Sequence, residues 1–207
     1  MKILKAFPLV LVLFVYHCYG QNNVKRWSLK NLNVSTFNNG DSIPEAKSNE
    51  AWIKAAIDGK PAWCYYKNDP ANGPEFGKLY NWYALNDIRG LVPKGYHIPT
   101  KEEWSSVINF YGGEQTAGHV MKSKNGWDKN GNGNDSIGFC ILPAGFRFNL
   151  KGEFLYQGKY GMFWTSSLAE DDNAWVFFLS AADSTATSVY YKKGFGMSVR
   201  YIKDQHK

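Results

Sequence analysis

Cysteine is scarce in this chain, with three among 207 residues. That excludes a small scaffold held together by disulfides, which needs a far higher density of them. No apolar stretch is long enough to cross a bilayer as a helix. The N-terminal one, residues 6–15, runs to about ten residues and is interrupted by Pro8, against the ~20 a spanning helix requires. Lys and Arg are dispersed rather than gathered into a stripe, so the chain lacks the footprint of a nucleic-acid binder. There is no fixed-period repeat and no heptad pattern, which removes solenoids and coiled coils. Also missing are a Gly-x-Ser-x-Gly elbow, a phosphate loop and a zinc-protease helix.

What is present begins with an export signal. Lys2 and Lys5 supply a positive start, residues 6–15 the apolar middle, and Cys18 and Gly20 the small residues of a cleavage region, so cleavage is expected between Gly20 and Gln21. A retained anchor and a lipidated Cys18 are the competing readings. The bulky His17 before Cys18 argues against lipidation. Removing residues 1–20 takes away two lysines and no acid, leaving 22 basic against 18 acidic side chains on 187 residues. Such a length suits one domain, residues 21–207, with its own core and with no transmembrane segment after processing. The compartment expected is periplasm, outer surface or medium.

Cleavage leaves Cys64 and Cys140. In an oxidising compartment they invite a disulfide, stabilising by ~4 kcal/mol in the chain-entropy account. Both also sit in apolar runs, Ala62-Trp63-Cys64-Tyr65-Tyr66 and Phe139-Cys140-Ile141-Leu142, where free thiols pack as small apolar groups.

Along the mature chain, 31–37 reads as a short strand with Leu32, Val34 and Thr36 on one face. A helix then follows a Ser48 or Asn49 cap, with Ala51, Trp52, Ala55 and Ala56 as its buried stripe and Gly59 ending it. Thr100-Lys101-Glu102-Glu103 is a capping box, ahead of Trp104, Val107, Ile108 and Tyr111 on one face. A shorter helix is expected over 114–122. Residues 123–138, rich in Asn and Gly, predict a long surface loop. Strands are predicted thereafter at 139–142, 146–148, 154–156, 162–166, 174–179, 188–191 and 197–202. Helices first and antiparallel strands afterwards make the class α+β: two main helices on a twisted antiparallel sheet, with long irregular loops.

The string Lys78-Leu79-Tyr80-Asn81-Trp82-Tyr83-Ala84 resembles the signature of the Fibrobacter succinogenes major paralogous domain, an exported family common in Bacteroidetes and Fibrobacteres. Gly59-Lys60-Pro61-Ala62-Trp63-Cys64-Tyr65-Tyr66, Gly95-Tyr96-His97-Ile98-Pro99-Thr100, Gly145-Phe146-Arg147, Trp164-Thr165-Ser166-Ser167 and Gly196-Met197-Ser198-Val199-Arg200 carry the likeness across nearly all of the mature chain. Cys140 stands where the family more often has a small residue such as Ser, which counts against the disulfide. More distantly the family is similar to the C-type-lectin-like fold, within the superfamily of formylglycine-generating enzymes. The resemblance implies that the first and last strands lie together. It supplies a fold and a compartment, and fold does not supply function. The copper-dependent enzymes of that superfamily use two nearby late cysteines. No cysteine follows Cys140, so the pair has no counterpart and no enzyme activity is expected.

Among candidate ligands, Asp128, Asn130, Asn132 and Asp135 imitate the first half of a calcium loop, with oxygen donors at alternate positions. The twelfth position is Phe139 rather than a bidentate Glu, so an EF-hand is excluded, and an irregular calcium site competes with a plain Asn-Gly turn. No other cofactor is implied. His97 and His119 have no zinc-like spacing to other ligands and read as structural. Aromatic residues make up 16% of the chain and suit stacking on sugar rings. Trp82, Trp104, Trp164 and Trp175 are expected in the core, while Tyr156, Tyr160, Tyr190 and Tyr191 are the residues expected to be exposed. The expected role is therefore a non-catalytic binding or adhesion module for a glycan or protein, or else a purely structural surface protein.

Overall fold

The computed structural model describes residues 24–205. The signal segment, the Gly20–Gln21 cleavage point and Cys18 lie outside the described residues. Helices and small antiparallel sheets alternate along the chain, an α+β arrangement. The helices are α1 (Asn49–Ile57), α2 (Gly73–Phe76), α3 (Trp82–Leu85), α4 (Lys101–Phe110) and α5 (Ala117–Met121). The strands are β1 (Trp63–Cys64), β2 (Leu79–Tyr80), β3 (Tyr96–His97), β4 (Phe146–Arg147), β5 (Phe154–Leu155), β6 (Tyr160–Leu168), β7 (Asn173–Ser180), β8 (Ala186–Lys192) and β9 (Ile202–Lys203). Among the described residues, β1–β2, β3–β9 and β4–β5 form two-stranded sheets, and only β6–β7–β8 forms a three-stranded one. The single large sheet expected from the sequence is thus divided.

The β6–β7–β8 meander lies between two buried layers. Side chains alternate across it, since successive residues of a strand point to opposite faces. Met162, Trp164, Ala174 and Val176 join Tyr80, Trp82, Met197 and Val199 on one side. Phe163, Phe177, Leu179 and Ala186 meet Trp104, Val107 and Ile108 of α4 and Ala117 and Met121 of α5 on the other. With both faces covered, β6 and β7 read as nearly continuous apolar runs. Around Trp52 of α1, a third cluster collects Cys64, Tyr66 and Leu79.

Local signals held where their partners are local. The Thr100 side chain accepts from the Glu103 amide at 3.1 Å and Glu103 accepts from the Thr100 amide at 2.9 Å, completing the capping box that starts α4. Ser48 caps α1, accepting from the Ala51 amide at 3.2 Å. Of the expected α1 stripe only Trp52 is buried, with Ala55 partly buried against the same cluster.

Elsewhere the backbone pairs piecewise. Residues 31–37 form no strand: Leu32 donates to the Val199 carbonyl, Ile43 to Ser35 and Phe37 to Asp41, three unrelated partners. Leu32 and Phe37, rather than Leu32, Val34 and Thr36, are the buried side chains. Residues 139–142 and most of 197–202 contribute isolated bridges rather than full strands, and Cys140 has a φ of 48°, which breaks extension there. The two ends of the described chain do lie together, through the Trp27–Ile202 bridge and the Ser28 amide on the Tyr201 carbonyl at 2.8 Å. None of the described helices is long and apolar enough to cross a membrane.

Candidate functional site

Most polar side chains of the sequence motifs are spent on the fold. Asn81 caps α3, accepts from the Ala62 amide at 3.0 Å and donates to the Lys60 carbonyl at 2.8 Å. The indoles of Trp63, Trp82 and Trp164 donate to the carbonyls of Ile43, Thr165 and Tyr80. Lys78 donates to the Asn33 carbonyl and side-chain oxygen, both at 2.9 Å.

Two buried arginines act as hubs without carboxylate partners in these contacts. Arg147 donates to the carbonyls of Gly152 (2.9 Å), Ala46 (2.6 Å) and Ser48 (2.8 Å). Arg200 donates to Ser28, Phe139 and Cys140 carbonyls and to the Asn31 side chain. Burial pulls the Arg200 guanidinium down to about 10.

One surface breaks this pattern. On β7 and β8, Trp175 and Tyr190 are direct cross-strand partners with ring centroids 5.6 Å apart and planes at 84°. Trp175 is half-buried and Tyr190 is 59% exposed. Position on the sheet explains this. The pair shares its face with Phe177 but lies nearer the β6–β7 turn, where the first residue of α4 ends the cover: Lys101 holds its Nζ 3.4 Å from the Trp175 ring centroid. Its own amide donates to the Ser167 hydroxyl at 3.0 Å, fixing the helix start on β6.

The β6–β7 turn completes the site. Asn173 donates from its backbone and its side chain to the Glu170 carbonyl, at 3.3 and 2.9 Å, and Asp171 adopts φ 54°. Leu168, Glu170, Asp171, Asn173, Trp175 and Tyr190 line a cleft of about 520 Å³. It offers two aromatic walls, an aliphatic rim at Leu168 (58% exposed) and carboxylates with an amide. Such a mixture holds a ring through its CH face while satisfying polar groups at its edge. The sequence reading identified Tyr190 but placed Trp175 in the core. The apolar run Ala174-Trp175-Val176-Phe177-Phe178-Leu179 hides the one position that reaches the rim.

The other expected sites fare differently. Cys64 and Cys140 are free thiols, the first buried in β1 and the second exposed, so no disulfide joins them. Burial pushes the Cys64 thiol up to about 12, which makes it inert. In the 123–138 loop, Asn132 accepts from the Trp127 amide at 3.0 Å, Asp135 accepts from the Cys140 amide at 2.7 Å, and the Asp128 carboxylate faces Gly158. Asn130 takes a left-handed turn position with φ 60°. Three of these four candidate calcium ligands thus turn towards separate backbone segments, and among the described residues no group of three His, Cys, Asp or Glu side chains is arranged to hold a metal. The loop is also anchored rather than wholly superficial: Trp127 is buried, donating to Ser123 and to the Ile141 carbonyl, both at 3.1 Å.

His97 has partners invisible to spacing arguments. Its Nδ1 lies 2.6 Å from Asp204 and its Nε2 2.9 Å from Glu103, so the ring bridges the start of α4 and the end of the C-terminal segment. Burial pulls its pKa down, but the hydrogen bonds to Asp204 and Glu103 outweigh that and raise it above the ordinary value. A group whose folded pKa is raised stabilises fully below its unfolded pKa of about 6.5, and that contribution disappears as pH rises through the folded value. Melting temperature is therefore expected to fall between mildly acidic and mildly alkaline pH at low salt, and the fall to flatten in His97→Gln. Parallel profiles for the two proteins would refute it.

Searches among curated proteins and among solved structures gave no match. The family model named Fibrobacter succinogenes major domain matches residues 22–203, a span that takes in both arginine hubs, His97 with Glu103, and the Trp175–Tyr190 cleft. The chain therefore belongs to the Fibrobacter succinogenes major domain family.

Proposed function

We propose that the chain is an exported, non-catalytic binding module on a lectin-like scaffold, and that it takes a glycan at the Trp175–Tyr190 cleft. The observation that carries this reading is the pair of aromatic side chains set at a right angle on a sheet rim, opening into a cleft with carboxylates, an amide and an aliphatic edge. Sugar rings present CH groups on one face and hydroxyls around the edge, which is the complement of that surface. The absence of enzymatic activity is proposed because the motif side chains spend their donors on backbone carbonyls. Pairing of the two chain ends beside β3 is consistent with the lectin-like scaffold, and the signal-like first twenty residues support export.

A glycan array probed with residues 21–207, followed by calorimetry on the best hit, tests the reading. Saturable binding is expected. Trp175→Ala and Tyr190→Ala should each weaken it by about tenfold, the equivalent of ~1.4 kcal/mol and near the upper end of what one aromatic contact contributes. Both positions are partly exposed, so the melting temperature should move little. Silence across neutral, amino and acidic glycans, with self-association on sizing, would favour a structural surface protein instead.

A further inference from the structure

The Trp175 ring, one wall of the cleft, already carries a cation of the protein's own, and its placement is unusual. Lys101 is the first residue of α4, where the amide ends of the helix dipole carry partial positive charge and disfavour a basic side chain. Glu102 and Glu103 in the same turn suit that position, whereas Lys101 does not. Its ammonium is accommodated by the face of Trp175, 3.4 Å from the ring centroid, a cation–π contact. Tyr190 stands at 84° to that ring, making a second wall, and the acidic residues Glu170 and Asp171 line the same cleft. Two perpendicular aromatic rings with nearby carboxylates are the elements by which proteins recognise ammonium groups.

We infer that the cleft selects glycans bearing a protonated amine, amino sugars without an N-acyl group, and that the Lys101 ammonium is an internal occupant which such a ligand displaces from Trp175. This rests on the proposal that the cleft binds glycans, and it names which ones. The chemistry is non-covalent throughout. A protonated sugar amine over Trp175 replaces the lysine cation, its charge is balanced by Glu170 and Asp171, and the sugar ring lies against Tyr190 and Leu168. The displaced lysine turns to water at small cost, since its stem is flexible and its head is readily hydrated. An acidic sugar in the cleft would instead bring its carboxylate among Glu170 and Asp171, where like charges repel.

The experiment is titration of residues 21–207 by calorimetry with three linear oligomers of equal length: β-linked glucosamine, its N-acetylated form and β-linked glucose, at mildly acidic pH where the free amine is protonated. Glucosamine oligomers are expected to bind at least tenfold more tightly than the other two. Lys101→Met should increase their affinity by about three- to fivefold, the loss of an internal competitor worth ~0.5–1 kcal/mol. Glu170→Gln together with Asp171→Asn should erase the preference while keeping the aromatic contacts. Equal binding of all three oligomers, or weaker glucosamine binding in Lys101→Met, would overturn the inference and leave the glycan reading intact. Binding of none of the three, with an acidic glycan captured on the array, would overturn the inference alone. No glycan binding at all would remove both.

Discussion

Arg147→Met is expected to lower the stability of the folded domain by about 3 kcal/mol or more, because each carbonyl left buried without a donor costs ~1–3 kcal/mol. Three carbonyls accept from this side chain: Gly152 in the β4–β5 turn and Ala46, both buried, and Ser48 at the start of α1, which is exposed and also accepts from the Trp52 amide at 3.1 Å. Methionine fills similar volume along the stem and removes the charge, so part of the loss is offset by relief of the desolvation that a buried guanidinium suffers. The offset is incomplete because no water replaces the lost donors: Arg147 is fully buried, packed over Trp52 at 4.9 Å and Phe154 at 4.5 Å. Arg147→Lys keeps the charge but not the planar fork, so it should recover only part of the difference. Urea unfolding reads this as a lower midpoint at unchanged slope. A loss under ~1 kcal/mol for the methionine variant would show that the carbonyls find other partners.

That hub also shows where sequence reading stops. Arg147 and Arg200 stand in the motif strings, yet nothing along the chain tells that one gathers carbonyls from 46 and 48 and the other from 28, 139 and 140. The α4 cap was legible because its donor and acceptor are three residues apart. The run 31–37 misled because its apolar alternation is real while its backbone partners, at 41, 43, 78 and 199, never line up as one neighbouring strand. His97 looked unaccompanied because one of its carboxylates is 107 positions away. The calcium-like spacing at 128–135 was a true spacing, but Asn132 and Asp135 accept from the amides of Trp127 and Cys140. Half of the candidate cleft was readable, since Tyr190 sits in an alternating strand with polar neighbours. Trp175 was not, because β7 is covered on both faces except at one rim, and a sequence does not mark where a cover ends.

Trp104→Ala is the second large effect, with an expected loss of ~3–5 kcal/mol, the usual cost of truncating a large buried aromatic side chain. Trp104 is fully buried and is the central ring of the layer between α4 and the meander. It stacks on Phe177 with centroids 4.0 Å apart and planes within 4°, and it touches Trp27 at 4.4 Å and Phe139 and Phe163 at 6.0 Å. Removing it opens a void walled by four aromatic rings, which are too rigid to collapse into it, so both the transfer and the cavity contributions are lost. For a domain of this length the melting temperature should fall on the order of 10 °C. Trp104→Phe separates packing from polarity. The indole nitrogen of Trp104 is buried with no hydrogen-bond partner, a cost of ~1–3 kcal/mol that phenylalanine does not carry. The phenyl ring keeps the stack on Phe177 and leaves only a small void, so Trp104→Phe should lose no more than ~1.5 kcal/mol, far less than alanine. Equal losses for phenylalanine and alanine would mean that the five-membered ring, through its contacts with Trp27, carries the stability, and that the stack on Phe177 contributes little.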